Sequence, residues 1–105
     1  MFVIANNITT RNRTVNQIFS QAKAGGWSSN RQAMDRLQEL TKQCVAAGAD
    51  MLEINIHQHY ELPEAMEFAV NAVQHVTDLR LCMSTNNTQA VEAGLRTCKR
   101  PPLIN

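Results

Sequence analysis

The sequence predicts an α/β domain of parallel strands joined by helices, in the order β-α-β-α-β-α-β. Three observations lead there. Apolar strand-like runs begin near Phe2, Met51, Leu79 and Leu103, and the last two intervals each fit one strand and one helix. Between the runs lie segments with apolar residues at three- and four-residue steps, the mark of a helix with one buried stripe. Such alternation implies parallel pairing through right-handed crossovers. Each run also finishes in amides, hydroxyls or a carboxylate, at the strand ends where parallel sheets carry their sites.

Residues 2–5 form the opening strand, and Asn6, Asn7, Ile8, Thr9 and Thr10 follow as its polar C-terminal end. Residues 14–24 carry Val15, Ile18, Phe19 and Ala22 at helical spacing and stop at Gly25-Gly26. Residues 27–30, Trp-Ser-Ser-Asn, read as a loop whose Ser or Asn oxygen caps the next helix. That helix, 31–47, has the stripe Ala33, Leu37, Leu40, Cys44 and Ala47, and Gly48 supplies the left-handed turn that stops it. Residues 51–56 are the second strand and 57–61 a polar loop. Pro63 suits a first helical position, with Glu64 and Glu67 near the positive end of the helix. Met66, Ala69, Val70, Val73 and Val76 are its buried stripe. Thr77-Asp78 turns into a third strand, 79–83, closed by Ser84-Thr85-Asn86-Asn87. A short helix, 88–98, offers Ala90, Val91, Leu95 and Cys98 for packing. Arg100-Pro101-Pro102 breaks it, and residues 103–105 begin a fourth strand.

The second strand carries the chemistry. Leu52, Ile54 and Ile56 share one face, while Glu53, Asn55 and His57 share the other. An unpaired buried polar group costs about 1–3 kcal/mol, so these three either pair with one another or line a wet pocket. The pocket is the reading adopted. His57 and His59 form His-x-His, but two imidazoles lack the third convergent ligand of a metal site, and no metal is expected.

The totals exclude several classes. A length of 105 residues fits one domain, and a net charge of +1 gives no electrostatic reason to expect nucleic acid or an anionic membrane. No apolar run reaches the roughly 20 residues that span a bilayer, and residues 1–5 are too short for a signal peptide. Cys44, Cys82 and Cys98 show no CxxC spacing, which favours reduced, packed thiols and a cytoplasmic location. No Ser-His-Asp, P-loop or GxGxxG arrangement is present. An eightfold β/α barrel needs about 250 residues, so four strands make at most its first half, a partial TIM barrel. The fourth strand would be an edge of the kind that pairs with another chain. The expectation is a piece of a longer chain or a half-barrel that associates as a homo-oligomer.

Four stretches then carry a resemblance: residues 46–55 (Ala-Ala-Gly-Ala-Asp-Met-Leu-Glu-Ile-Asn), 81–87 (Leu-Cys-Met-Ser-Thr-Asn-Asn), 90–95 (Ala-Val-Glu-Ala-Gly-Leu) and 103–105 (Leu-Ile-Asn). In order and spacing the chain resembles the N-terminal half of the pterin-binding barrels, above all the methyltetrahydrofolate:corrinoid methyltransferases. The resemblance implies methyl transfer from N5 of methyltetrahydrofolate to the cobalt of a corrinoid carried by a partner protein. It implies that Asn105, Glu53, Asn55 and Ser84 contact the pterin. Asn6, Asn7 and Thr9 resemble the Asn-x-Thr of dihydropteroate synthases, the sister group, which adds Asn7. Glu53 keeps the charge where the family usually has Asp, whereas Ser84 loses it, replacing an aspartate that pairs with the pterin. Ala5-Asn6-Asn7 likewise stands where the family often reads Gly-Glu-Arg or Gly-Glu-Asn. Later strands contribute residues that this chain lacks, so residues 1–105 alone are expected not to turn over. The rival readings are a dihydropteroate synthase-like enzyme and a non-catalytic half-barrel acting through self-association.

Overall fold

The computed structural model describes all 105 residues apart from the side chains of Ser28 and Gln58. Strands β1 (Ile4–Thr9), β2 (Met51–Asn55), β3 (Arg80–Ser84) and β4 (Leu103–Ile104) form one sheet in the order β1-β2-β3-β4, each neighbouring pair parallel. Helices α1 (Arg13–Ala24), α2 (Arg31–Ala46), α3 (Pro63–Val76) and α4 (Thr88–Thr97) connect them. The α/β class and the parallel sheet agree with the sequence. The two helices read between the first two strands are both present, so only the condensed order β-α-β-α-β-α-β needs correction: the chain runs β-α-α-β-α-β-α-β, with 3₁₀ turns at Trp27–Ser29 and Gln58–Tyr60. Gly26 and Trp27 both take positive φ, 82° and 59°, which breaks the first crossover into two helices.

Local chemistry starts the helices. Asn12 Oδ1 accepts from the amides of Thr14 (2.9 Å) and Val15 (3.1 Å), Asn30 Oδ1 from Ala33 (3.0 Å), and Asn87 Oδ1 from Ala90 (2.8 Å). α3 instead begins at Pro63, whose missing N–H would have been unpaired there anyway. Gly48, at φ 98°, ends α2.

The core lies between the helices and one face of the sheet. Ile8, Leu52, Ile54, Ile56, Leu81 and Met83 meet the inward stripes of the four helices there. Phe19 sits at its centre, its ring 5.6 Å from Phe68, 5.7 Å from Tyr60 and 6.2 Å from Trp27, each contact edge-on. Tyr60 reaches this cluster from the segment expected as a polar loop, because the 3₁₀ turn directs its ring inward.

Several boundaries differ from the sequence expectation. The opening strand is not residues 2–5. Phe2 and Val3 are exposed, and the ladder runs from Ile4 to Thr9 across a bulge between Ala5 and Ile8. Asp50 fixes its start, because its carboxylate accepts from the Val3 amide at 2.8 Å while Val3 O accepts from the amides of Asp50 (2.7 Å) and Met51 (3.2 Å). β2 ends one residue sooner, at Asn55, and β3 lies one residue later, at Arg80–Ser84. α2 and α4 each stop one residue early, which leaves Ala47 outside the helix and exposed. Leu95 does not pack. The inner face of α4 is made of Ala90, Ala93 and Gly94, small residues that let it approach β3 and α3. Leu95 stands one step further round the helix and stays 48% exposed.

Candidate functional site

Strand alternation sorts the sheet into two faces. Leu52, Ile54 and Ile56 are fully buried toward the helices, so Glu53 and Asn55 project from the other face, half-buried. Parallel register carries this across the sheet, since paired residues share a face. Glu53 pairs with Cys82 and Asn55 with Ser84 on one side, and Asn55 pairs with Thr9 on the other. Cys82 pairs with Leu103, and the Asn105 amide donates to Met83 O at 2.9 Å, extending the same pattern past β4. Met51 and Cys82 are both buried yet stand apart from the main core cluster, as residues of this second face should. Among the described residues, the inward side chains of the helices gather on the opposite face.

Four of the five expected site residues therefore lie together. Glu53, Asn55, Ser84 and Asn105 occupy adjacent positions on three neighbouring strand ends, and Asn105 Nδ2 donates to Glu53 Oε2 in a long hydrogen bond of 3.4 Å. Asn7, the fifth, lies within the β1 bulge. There Ala5 pairs with Leu52 and Ile8 with Ile54, so Asn6 and Asn7 together oppose the single residue Glu53. Both asparagines are exposed. The bulge thus sets two amide residues opposite Glu53 on the β1 side.

The C-terminal ends of the strands are tied by backbone and hydroxyl contacts. Ile56 N–H donates to Ser84 O (3.0 Å), Thr10 N–H to Asn55 O (3.1 Å) and His57 N–H to Thr10 Oγ1 (2.9 Å). Behind β3, Thr85 Oγ1 donates to Glu61 at 3.4 Å. Two polar atoms at this end are enclosed without a hydrogen-bond partner among the described residues, Asn55 Oδ1 and His57 Nε2. Each carries the desolvation cost of an unmade bond, about 1–3 kcal/mol. Enclosed amide and imidazole atoms of this kind call for a partner, a role that ordered water or a polar ligand can fill.

Sequence reading places His57 on the polar face with Glu53 and Asn55 but underweights two further residues. Thr9 enters only through the register of β1 with β2, which no local pattern reveals. Cys82 was treated as a core thiol, yet Arg80, Cys82 and Ser84 alternate with Leu81 and Met83, which puts Cys82 beside Glu53. Its thiol pKa is raised, by burial first and then by the Glu53 charge. A protonated thiol next to a carboxylate is a weak donor, and it leaves the carboxylate free to accept from a ligand.

Other concavities lie elsewhere. A cavity of about 40 Å³ at the opposite end of the sheet is bounded by Gln74, Asp78, Arg80, Cys98 and Arg100. There Gln74 bonds Thr97 O (2.7 Å) and the Lys99 amide (3.1 Å), Arg100 donates to Asp78 O (2.8 Å), and Arg80 donates to Pro101 O (3.0 Å). These bonds staple the ends of α3 and α4 to the start of β3. A polar groove on the outer surface includes Arg31, Asp35, Asn71 and His75, between α2 and α3. Among the described residues no group of three or more His, Cys, Asp or Glu could hold a metal ion.

No protein-family model matches this chain. No helix among the described residues is long and apolar enough to cross a membrane.

Proposed function

We propose that the chain is a pterin-binding domain of the methyltetrahydrofolate:corrinoid methyltransferase type, built as the first half of a β/α barrel. The observation that carries the reading is the meeting of Glu53, Asn55, Ser84 and Asn105 at adjacent strand ends on the sheet face opposite the core. A pterin is flat and presents a 2-amino group, N3–H and O4 along one edge. A carboxylate accepts the two donors, and amides answer donor and acceptor alike. Glu53 takes the donor edge in this reading, and Asn55 and Asn105 the mixed positions. Asn55 Oδ1 has no hydrogen-bond partner among the described residues, and it supports the reading as an acceptor still to be paired.

Methyl transfer from N5 needs that amine made a better leaving group, by a proton or a strong hydrogen bond, and preorganised polar groups supply this better than a protein nucleophile. The corrinoid acceptor belongs to a partner protein, and no residue of this chain is assigned to it. Ser84 offers one hydroxyl where two anionic oxygens would grip harder, so the proposed role of this half is to bind and orient the pterin, not to complete the reaction.

Calorimetric titration with methyltetrahydrofolate tests this. The wild-type chain should give a saturable heat, and Glu53→Gln should weaken binding roughly tenfold or more, the loss expected of a hydrogen bond to a charged group worth about 1.5–3 kcal/mol. No heat at millimolar ligand, or equal affinity in Glu53→Gln, removes the pterin assignment.

A further inference from the structure

We propose that a cleft between α3 and the α1–α2 connection takes the guanidinium of an arginine presented by a partner protein. The cleft shares no residue with the Glu53 shelf, and the inference stands apart from the pterin reading.

The cleft has a volume of about 140 Å³. Gly26 and Trp27 contribute to it from the connection, and Glu64, Glu67, Phe68 and Asn71 from the helix. Those four recur at steps of three, one and three, so they form one stripe of α3. Trp27 is half-buried, and three rings fix it: Phe68 at 5.9 Å, Phe19 at 6.2 Å and Tyr60 at 6.5 Å between centroids. Its φ of 59° lies in the left-handed region that a bulky residue seldom adopts, and this turn brings the indole against α3.

An indole beside two carboxylates suits an organic cation. The ring face attracts positive charge through its quadrupole. Glu64 and Glu67 stand one turn apart on the same stripe, where like charges repel, and a cation between them removes the repulsion. None of the described residues lining the cleft is basic. The chain's own Arg96 shows which cation this rim draws, since its exposed guanidinium lies 3.9 Å from the Glu67 carboxylate. A guanidinium is flat and forked, so it can stack on the indole and bond a carboxylate at once, which a compact ammonium cannot.

Size selects the source. Sites for free small molecules are cavities of roughly 300–1,000 Å³, and this one, at about 140 Å³, has room for a single side chain. Its occupant is therefore an arginine carried on the surface of another protein.

Trp27 is the single tryptophan of the chain, so indole fluorescence reads this cleft directly. N-acetyl-arginine amide, whose only charge is the guanidinium, should change the emission saturably at millimolar concentration, and added salt should weaken it. The neutral isostere N-acetyl-citrulline amide should do nothing, and N-acetyl-lysine amide should bind more weakly. Glu64→Gln and Glu67→Gln should each weaken the arginine response roughly threefold, the scale of one exposed charge pair. Neither carboxylate belongs to the buried core, so far-ultraviolet circular dichroism should stay unchanged in both variants. No saturable response up to tens of millimolar overturns the proposal. So does an equal response to citrulline or lysine, or unaltered affinity in both glutamine variants. Methylguanidine supplies the head group without a peptide backbone. Tighter binding of methylguanidine than of blocked arginine would assign the cleft to a free small cation and overturn the protein partner.

Discussion

Glu53 is the charged side chain around which the shelf is built. Asn105 bonds it, Cys82 lies beside it in register, and the β1 bulge opposes it. Ser84 is its weaker neighbour. If Ser84 occupies a pterin-pairing position, Ser84→Asp replaces a neutral hydrogen bond with a charged one, a gain of about 1 kcal/mol. Binding of methyltetrahydrofolate, read by calorimetry, should then tighten by five- to tenfold; unchanged or weaker binding would argue that Ser84 faces something else. The thiols give a second residue-level test. Burial raises the pKa of Cys44, Cys82 and Cys98, and for Cys82 the Glu53 charge adds to it. The folded state therefore keeps these thiols protonated to higher pH than the unfolded chain does. Their contribution to stability is whole below the ordinary thiol value of 9.0 and is lost as pH rises through the folded values above it. Melting curves should show Tm falling in that alkaline window, less steeply in Cys82→Ser. A Tm that rises there contradicts the assignment.

At the scale of elements, the helices are held by caps and by close approach. Asn30 serves two of them, since its Oδ1 accepts from Ala33 at the start of α2 while its Nδ2 donates to Gln21 O near the end of α1 at 2.8 Å. Asn30→Ala should therefore cost about 2 kcal/mol in urea unfolding, against about 1 for Asn87→Ala, which removes a cap alone; equal losses would show that the Gln21 bond contributes nothing. Gly94 tests the packing of α4. A Cβ there would press on Met83 and lie 3.0 Å from Met66 Cγ, and both methionines are fully buried. Alanine gains about 1 kcal/mol of helix propensity, but overpacking costs about 1–3 kcal/mol, so Gly94→Ala should destabilise by about 1 kcal/mol. A stabilised variant would mean that the methionines have room to move. These elements also show what was legible. The stripes, the Asn30 cap and the glycine stop at Gly48 are local signals, and they located all four helices within a residue or so. The extent of β1 was not local, because Ile8 and Thr9 join the sheet only through pairing with Ile54 and Asn55 more than forty positions away. Leu95 misled for the opposite reason, since two alanines and a glycine, not the large residue, define the packed face of α4.

For the whole molecule, one sheet face carries the core and the other carries the chemistry. Alternation alone puts Glu53 and Asn55 on one face, whereas Ser84 and Asn105 are named through the family resemblance, and the parallel register sets all four side by side. The sequence did not foresee the bulge that sets Asn6 and Asn7 against Glu53, or the enclosed atoms of Asn55 and His57, which depend on three-dimensional contacts. The measurement that tests the account most directly is chemical-shift mapping of the labelled chain during titration with methyltetrahydrofolate. The account predicts saturable shifts centred on Glu53, Asn55, His57, Ser84 and Asn105, with the outer groove of α2 and α3 unmoved. Shifts confined to that groove, or none at saturating ligand, would contradict it.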